Sequence, residues 1–464
     1  MMTHCKDKDP PRPWKSCLIA LIVLLATGCK VPKKPSPPPV LETIREKKVL
    51  VVLTRNSATT YYEAPEGWVG FEHDLAVAFG EHLGVKVRFE VLDSVSEILQ
   101  AMQEGKGDIA AAGLTRTEQR EKQYLFGPDY YTVQQQVVCR RGAQFPKTIN
   151  ELPNFRISII KDSSYEERLK ELKREIPELT WETVDDLPTE MLLEKVWKQA
   201  LECVVADSNI VAINRRHYPE LLVAFPITEK QPLAWIIRSG GEDLKIELTQ
   251  WLNQFKQKRD LAGLTDRYYS YLEIFDYVDI RTFYKNLDDR LPALLPLFKK
   301  AADQYNIPWI LLASQAYQES HWNKKAKSPT GVRGVMMLTR KTAKELGIKN
   351  RLDPVQSIMG GAQYFSQLLR RVPEKIKGDD RYWFALAAYN VGMGHMYDAQ
   401  TLARRFGKDP HKWHDLKTVL PLLSQPKYYK TVTSGYARGS EPVRYVQRIR
   451  EFHDILSANP PSVP

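Results

Sequence analysis

"AYQESHWNKKAKSPTGVRGVMML", residues 316–338, ends an apolar helical run on a lone carboxylate and follows it with a Gly- and Met-rich segment. Just upstream, "PWILLASQAYQES" (308–320) puts Trp309, Leu312, Ala313, Ala316 and Tyr317 at helical spacing, with Pro308 suited to the first turn. Glu319 falls in the last turn, where the helix dipole disfavours a negative charge and apolar neighbours disfavour ionisation. Both effects raise its pKa, as a general acid working near neutral pH requires. The competing reading is an ordinary surface glutamate at a helix end. From Asp276 onward the pattern is helical throughout, at about 291–305, 308–320, 339–346, 354–372, 381–391 and 441–457. No alternating strand of useful length interrupts it.

The 464 residues suffice for two or three domains with cores of their own. Charge divides them. Residues 1–275 carry 37 Lys+Arg against 39 Asp+Glu, and residues 276–464 carry 30 against 17, so the whole excess of +11 belongs to the second part. That part calls for a polyanionic partner. Nucleic acid is the usual one, but the N-terminus argues for export. Lys6, Lys8, Arg12 and Lys15 precede "SCLIALIVLLATG" (16–28), thirteen residues that are short for a membrane span but suit a secretory signal. A cell-wall polymer with acidic peptide stems fits that compartment, and no nucleic-acid partner is expected.

"LLATGC" resembles a bacterial lipobox, with Ala26 where that motif usually has Leu, which makes Cys29 the expected lipidation site. "KVPKKPSPPPV" (30–40) then reads as an extended tether of roughly 30 Å. The expected organisation is a signal at 1–28, a tether at 29–42, an α/β domain at 43–275 and a helical domain at 276–464. The expected place is the periplasmic face of the outer membrane. Only Cys139 and Cys203 lie in the globular part, and the sequence does not fix whether they pair.

In the α/β part, "VLVVLTR" (49–55) has strand length, "GFEHDLAVAFGEHLG" (70–84) is helical through Phe71, Leu75, Ala78, Phe79 and Leu83, and "VKVRFEVL" (85–92) alternates. A second helix (95–108) leads into "IAAAGL". Successive βαβ units predict a parallel sheet covered on both faces. The pattern recurs from "RISII" (156–160) to "ECVVAD" (202–207), and "PLAWIIR" (232–238) with a helix at 242–272 returns to the first lobe.

"VGFEHDLA", "GDIAAAGLTRTEQR" and "VVADSNI" resemble the periplasmic solute-binding proteins of polar amino-acid uptake, over about residues 43–270. The resemblance implies two lobes on a hinge. It places Arg120 on a ligand α-carboxylate, which guanidinium geometry favours, and Asp207 on the amino group, with Thr115 and Ser163 completing the pocket. Against this, Arg120 follows polar residues and reads equally well as a solvated charge.

"AYQES", "GVRGVMMLT", "AAYNVG" and "EPVRYVQRI", in that order, resemble the family-1 lytic transglycosylases with a goose-lysozyme-like all-helical fold, over about 285–456. The resemblance makes Glu319 the catalytic acid/base, accompanied by Ser320. It lines the sugar groove with Gly334, Val335, Met336 and Met337, where Met337 departs from the family's Gln. It brings the Tyr389 phenol towards the carboxyl and Asn390 to an N-acetyl sugar, and it makes Glu441 and Tyr445 groove wall and packing. For Met336 a core role stands beside substrate contact.

A conventional glycosidase needs two carboxylates. Between 307 and 346 the acids are Glu319 and Glu345, and Glu345 sits in the amphipathic "KTAKELG". One carboxyl suffices when the substrate supplies the nucleophile. On the chemistry that the resemblance implies, Glu319 would protonate the bond between N-acetylmuramic acid and N-acetylglucosamine, then take the proton of the muramoyl C6 hydroxyl as that oxygen closes on C1. The expected product carries a 1,6-anhydro end, and no metal or cofactor is expected. "HKWH" (411–414) lacks a third ligand and reads as surface. A hydrolase of the same fold and a non-enzymatic receptor that holds murein are the alternatives, and the ES and AYN motifs argue against the latter. The first domain is expected to take a small amino acid or murein-derived peptide and regulate access to Glu319.

Overall fold

The computed structural model describes residues 39–64, 67–185, 187–269, 276–328 and 331–461. The predicted signal, Cys29 and most of the tether lie outside these residues. The last residues assigned to the tether are structured: Val40–Lys47 is a helix that buries Val40, Leu41 and Ile44. The Leu41 amide donates to Asp243 Oδ2 at 2.8 Å, fastening this helix to Glu242–Gln257.

Two five-stranded sheets form the two lobes of the first domain. In the first, Lys86–Val91, Val49–Thr54 and Ile109–Ala110 run parallel, and Ile236–Ile237 then pairs antiparallel with both Ile109–Ala110 and Leu125–Phe126. In the second, Glu182–Val184, Ile157–Ile160 and Cys203–Asp207 run parallel, and Gln135–Arg140 pairs antiparallel with both Cys203–Asp207 and Leu221–Pro226. The expected parallel pairing holds for three strands of each sheet, and the strands that pair antiparallel make both sheets mixed. The chain crosses between lobes twice, and the crossing strands enter each sheet from the opposite end. Every residue of Cys203–Asp207 is buried, as a central strand requires. Cys139 and Cys203 face each other in register on adjacent strands and form a disulfide.

The helix expected at 242–272 is two helices, Glu242–Gln257 and Asp260–Tyr269. They break at Arg259, whose φ of 62° is left-handed and whose guanidinium reaches Asp415 at 2.7 Å. His414 corrects the surface reading of "HKWH": it is buried at the junction of the two domains, against Gly263 and Asp415.

The second domain is helical around one core that includes Phe283, Phe298, Tyr317, Trp322, Phe365 and Phe452. Its helices include two that the periodicity did not mark, Tyr277–Asp289 and Met393–Arg405. The catalytic-motif helix, Trp309–Ser320, packs against Ser440–Ala458, which also packs against Asp380–Val391.

Both lobes grip this C-terminal helix. Asp266 of the first lobe accepts from Arg450 at 2.8 Å and pairs with Lys417 at 2.5 Å, while Arg216 of the second pairs with Glu451 at 3.2 Å. Arg450 and Glu451 are adjacent residues, so motion of either lobe acts on one helix. Among the described residues no helix is long and apolar enough to cross a membrane.

Candidate active site

Trp309–Ser320 buries Leu311 through Tyr317 and stops at His321, whose left-handed backbone (φ 51°) turns the chain away. Trp322 then plugs the core, its indole N–H donating to Ala313 O at 2.8 Å. This leaves Glu319 at the open end of the helix, partly exposed as a residue. Its carboxyl is enclosed: burial pushes the pKa from its ordinary 4.5 up to about 7, against the lowering effect of a hydrogen bond from Tyr445. That bond, Tyr445 Oη to Glu319 Oε1 at 2.5 Å, spans 126 residues of sequence. Gln315, one turn before Glu319, donates to the same phenol at 3.4 Å. No other carboxylate contributes to the shift on Glu319.

Opposite the helix end, Gly334 to Met337 form a tight turn. The Ser320 hydroxyl donates to Val335 O at 2.8 Å, tying the turn to the helix that carries Glu319. The Met336 amide donates to Ser357 Oγ at 3.1 Å, and Met336 O accepts from Tyr389 Oη at 2.9 Å. Val335 and Met336 are fully buried, so their side chains belong to the core and only their backbone borders the groove. Of this group Met337 alone keeps a half-exposed side chain.

Tyr389 thus braces the turn and does not hydrogen-bond the carboxyl, although it lies near enough for Glu319 to help burial push its phenol well above 10. Asn390 is exposed beside it. Glu441 is exposed in the first turn of Ser440–Ala458, pairs with Arg438 at 3.2 Å, and has no contact with Glu319 among the described residues.

Tyr445 is the residue the sequence reading underrated. Its phenol helps to hold the Glu319 carboxyl down, so Tyr445→Phe raises that carboxyl further. The alkaline limb of kcat/KM for murein cleavage then moves to higher pH. A limb that stays in place or moves down would show that the phenol does not act on the carboxyl.

In the first domain, Arg120, Ser163 and Asp207 converge on one small cavity between the lobes, whereas Thr115 is buried but is not among the residues that line it. Asp207 is buried, and burial pushes its carboxyl up to about 6. Ser163 caps the helix Ser164–Glu175 and donates to Ile160 O at 2.5 Å. Arg120 is engaged rather than free: its Nε donates to Glu167 of the second lobe at 2.9 Å.

Comparison with known proteins agrees with both halves. The family described as bacterial extracellular solute-binding proteins, family 3, matches residues 50–271, and that described as transglycosylase SLT domain matches 296–412. A crystal structure of an ancestral amino acid-binding protein is 25% identical with a TM-score of 0.44, covering 50% of this chain and 100% of its own, which is too loose a likeness to bear on ligand. Among curated relatives, a membrane-bound lytic murein transglycosylase F of Saccharophagus degradans is 45% identical over 97% of this chain and 89% of its own. One of Maricaulis maris is 45% identical over 96% and 99%.

The fold and site therefore define a peptidoglycan lytic transglycosylase carrying a solute-binding-like domain. The chain belongs to the membrane-bound lytic murein transglycosylase F family.

Proposed function

We propose that this chain cleaves the β-1,4 bond between N-acetylmuramic acid and N-acetylglucosamine in peptidoglycan and leaves 1,6-anhydromuramoyl ends. The observation that supports this reading is the enclosed Glu319 carboxyl, held near neutrality with Tyr445 and no second acid upon it. A carboxyl with a pKa of about 7 carries its proton for a useful fraction of the time at neutral pH, and so donates it to the departing glycosidic oxygen. The resulting carboxylate takes the proton of the muramoyl C6 hydroxyl as that oxygen attacks C1. Acid and base are then one group used twice. Muropeptides released from purified sacculi are expected one water lighter than hydrolysis products by mass spectrometry. Unmodified masses would identify a muramidase instead.

The first domain is proposed to bind a small amino acid or wall peptide and to regulate the second. Arg450 and Glu451, gripped by different lobes, lie on the helix that carries Tyr445, and a ligand that favours one lobe arrangement biases that helix. Lipidation at Cys29 on the periplasmic face of the outer membrane is proposed from the lipobox-like "LLATGC". Fractionation of cells making Cys29→Ser should find the protein released to the soluble periplasm; retention in membranes would remove Cys29 as the anchor.

A further inference from the structure

The cavity between the lobes contains two guanidinium groups in opposite circumstances. Each nitrogen of Arg120 has a partner: Nε donates to Glu167 Oε1 at 2.9 Å, and the two terminal nitrogens to Thr115 O at 3.3 Å and Asp162 O at 3.0 Å. The second oxygen of Glu167 accepts from Thr117 at 2.6 Å, so this carboxylate of one lobe is held wholly by the other. Ser96 to Asp162 (2.8 Å) and Ser57 to Glu190 add further links across the cleft.

Arg55 has none of this. It follows the strand Val49–Thr54, is only 8% exposed, and its guanidinium makes no hydrogen bond or ion pair to any described residue. It lines the cavity together with Thr189 and Asp207, and each of those also has a buried side-chain oxygen without a hydrogen-bond partner.

A buried guanidinium whose N–H groups have no acceptor is costly unless something arrives to accept from them. Arg55 lies near enough to Asp207 and Glu72 to lower both carboxyls against their burial, but neither of them hydrogen-bonds its guanidinium. Burial pushes Glu72 up to about 8 and Asp207 up to about 6, and Glu72 already accepts from the Gly113 amide and from Tyr130. The remaining space, about 20 Å³ for the centre of a water-sized sphere, holds one water, so a ligand enters only when the lobes part.

We propose that Arg55 receives the ligand carboxylate in this cleft and that Arg120 is a latch between the lobes through Glu167. The ligand is then a small zwitterion whose ammonium group goes to Asp207. The assignment rests on the reading of the first domain as a receptor. It moves the anion site from Arg120 to a residue that the sequence did not single out. Arg55 belongs to the first lobe and Asp207 to the second, so a single zwitterion joins them.

The test is calorimetric titration of the full chain with the twenty standard amino acids and the wall stem tetrapeptide, each binder being repeated as its C-terminal amide. Wild type is expected to bind at least one acid about a hundredfold more tightly than its amide, as loss of one buried charge pair implies. Arg55→Gln should lose that factor and bind acid and amide alike, whereas Arg120→Gln should keep the distinction. If Arg55→Gln binds the acid as well as wild type, or if Arg120→Gln erases the distinction, the assignment is wrong while the receptor reading stands. If wild type binds none of the probes, the receptor reading itself falls and takes the assignment with it.

Discussion

Glu319→Gln is expected to abolish nearly all murein cleavage and yet to make the protein more stable above neutral pH. The amide oxygen can still accept from Tyr445, so the local packing survives, but no proton can be given or reclaimed. Turnover should fall by a factor of about 10²–10⁴, the usual span of general acid–base catalysis. The stability effect follows from the shift of Glu319 from 4.5 to about 7 by burial. Below pH 4.5 the folded and unfolded chains both hold the proton and the residue has no pH-dependent effect. As pH rises towards 7 the unfolded chain releases it and the folded chain does not, so wild type loses stability, and the full loss is reached above 7. Replacing the carboxyl removes that loss. Thermal melting at pH 8 should therefore place the variant a few degrees above wild type, with the advantage gone at pH 4. Equal melting at both pH values would show that the carboxyl is not enclosed as described.

The second large effect is expected at Gly334. Its φ of +85° is left-handed, and a Cβ there would lie 1.8 Å from Arg351 O and 2.7 Å from Ser357 Oγ, the oxygen that accepts the Met336 amide. Gly334→Ala combines backbone strain with a clash against main chain that cannot yield, for a loss of about 3 kcal/mol or more. The turn bordering the groove should distort and cleavage should fall with it. Gly331 separates the two causes. It has the same φ of +85° but nothing within 4 Å of a Cβ, so Gly331→Ala should cost about 1 kcal/mol and leave cleavage largely intact. Urea denaturation of the two variants measures the difference, and equal losses would remove the close approach at Gly334 from the account.

Much of this was legible in the sequence because it is local. Helical spacing and the helix-terminal place of Glu319 depend on neighbours within a turn, and the division of charge at about 275 is a matter of counting. What was not legible is pairing at a distance. Tyr445 meets Glu319 across 126 residues, and periodicity shows only that its helix has an inward face. Gln315 could have been noticed, since it stands one turn from Glu319 on the same face.

Ile236–Ile237 is a strand of two residues, too short to show a direction, and its antiparallel entry makes the first sheet mixed. Arg120 read either as a ligand clamp or as a solvated charge; it is buried and donates to Glu167 of the other lobe, which removes the solvated reading. Val335 and Met336 fall within a sugar-groove motif, yet their side chains fill the core and the motif presents backbone. The helix Met393–Arg405 starts directly after Gly392, whose φ of 92° ends the preceding helix, so the two read as one helix followed by a loop.

The central claim is that one carboxyl cuts the glycan strand without water. Digestion of purified sacculi in water enriched in heavy oxygen, followed by mass spectrometry of the released muropeptides, tests it most directly. The account predicts anhydromuramoyl ends free of label from wild type and almost no release by Glu319→Gln. Reducing muramoyl ends carrying the heavy oxygen would mean that water is the nucleophile, and would contradict it.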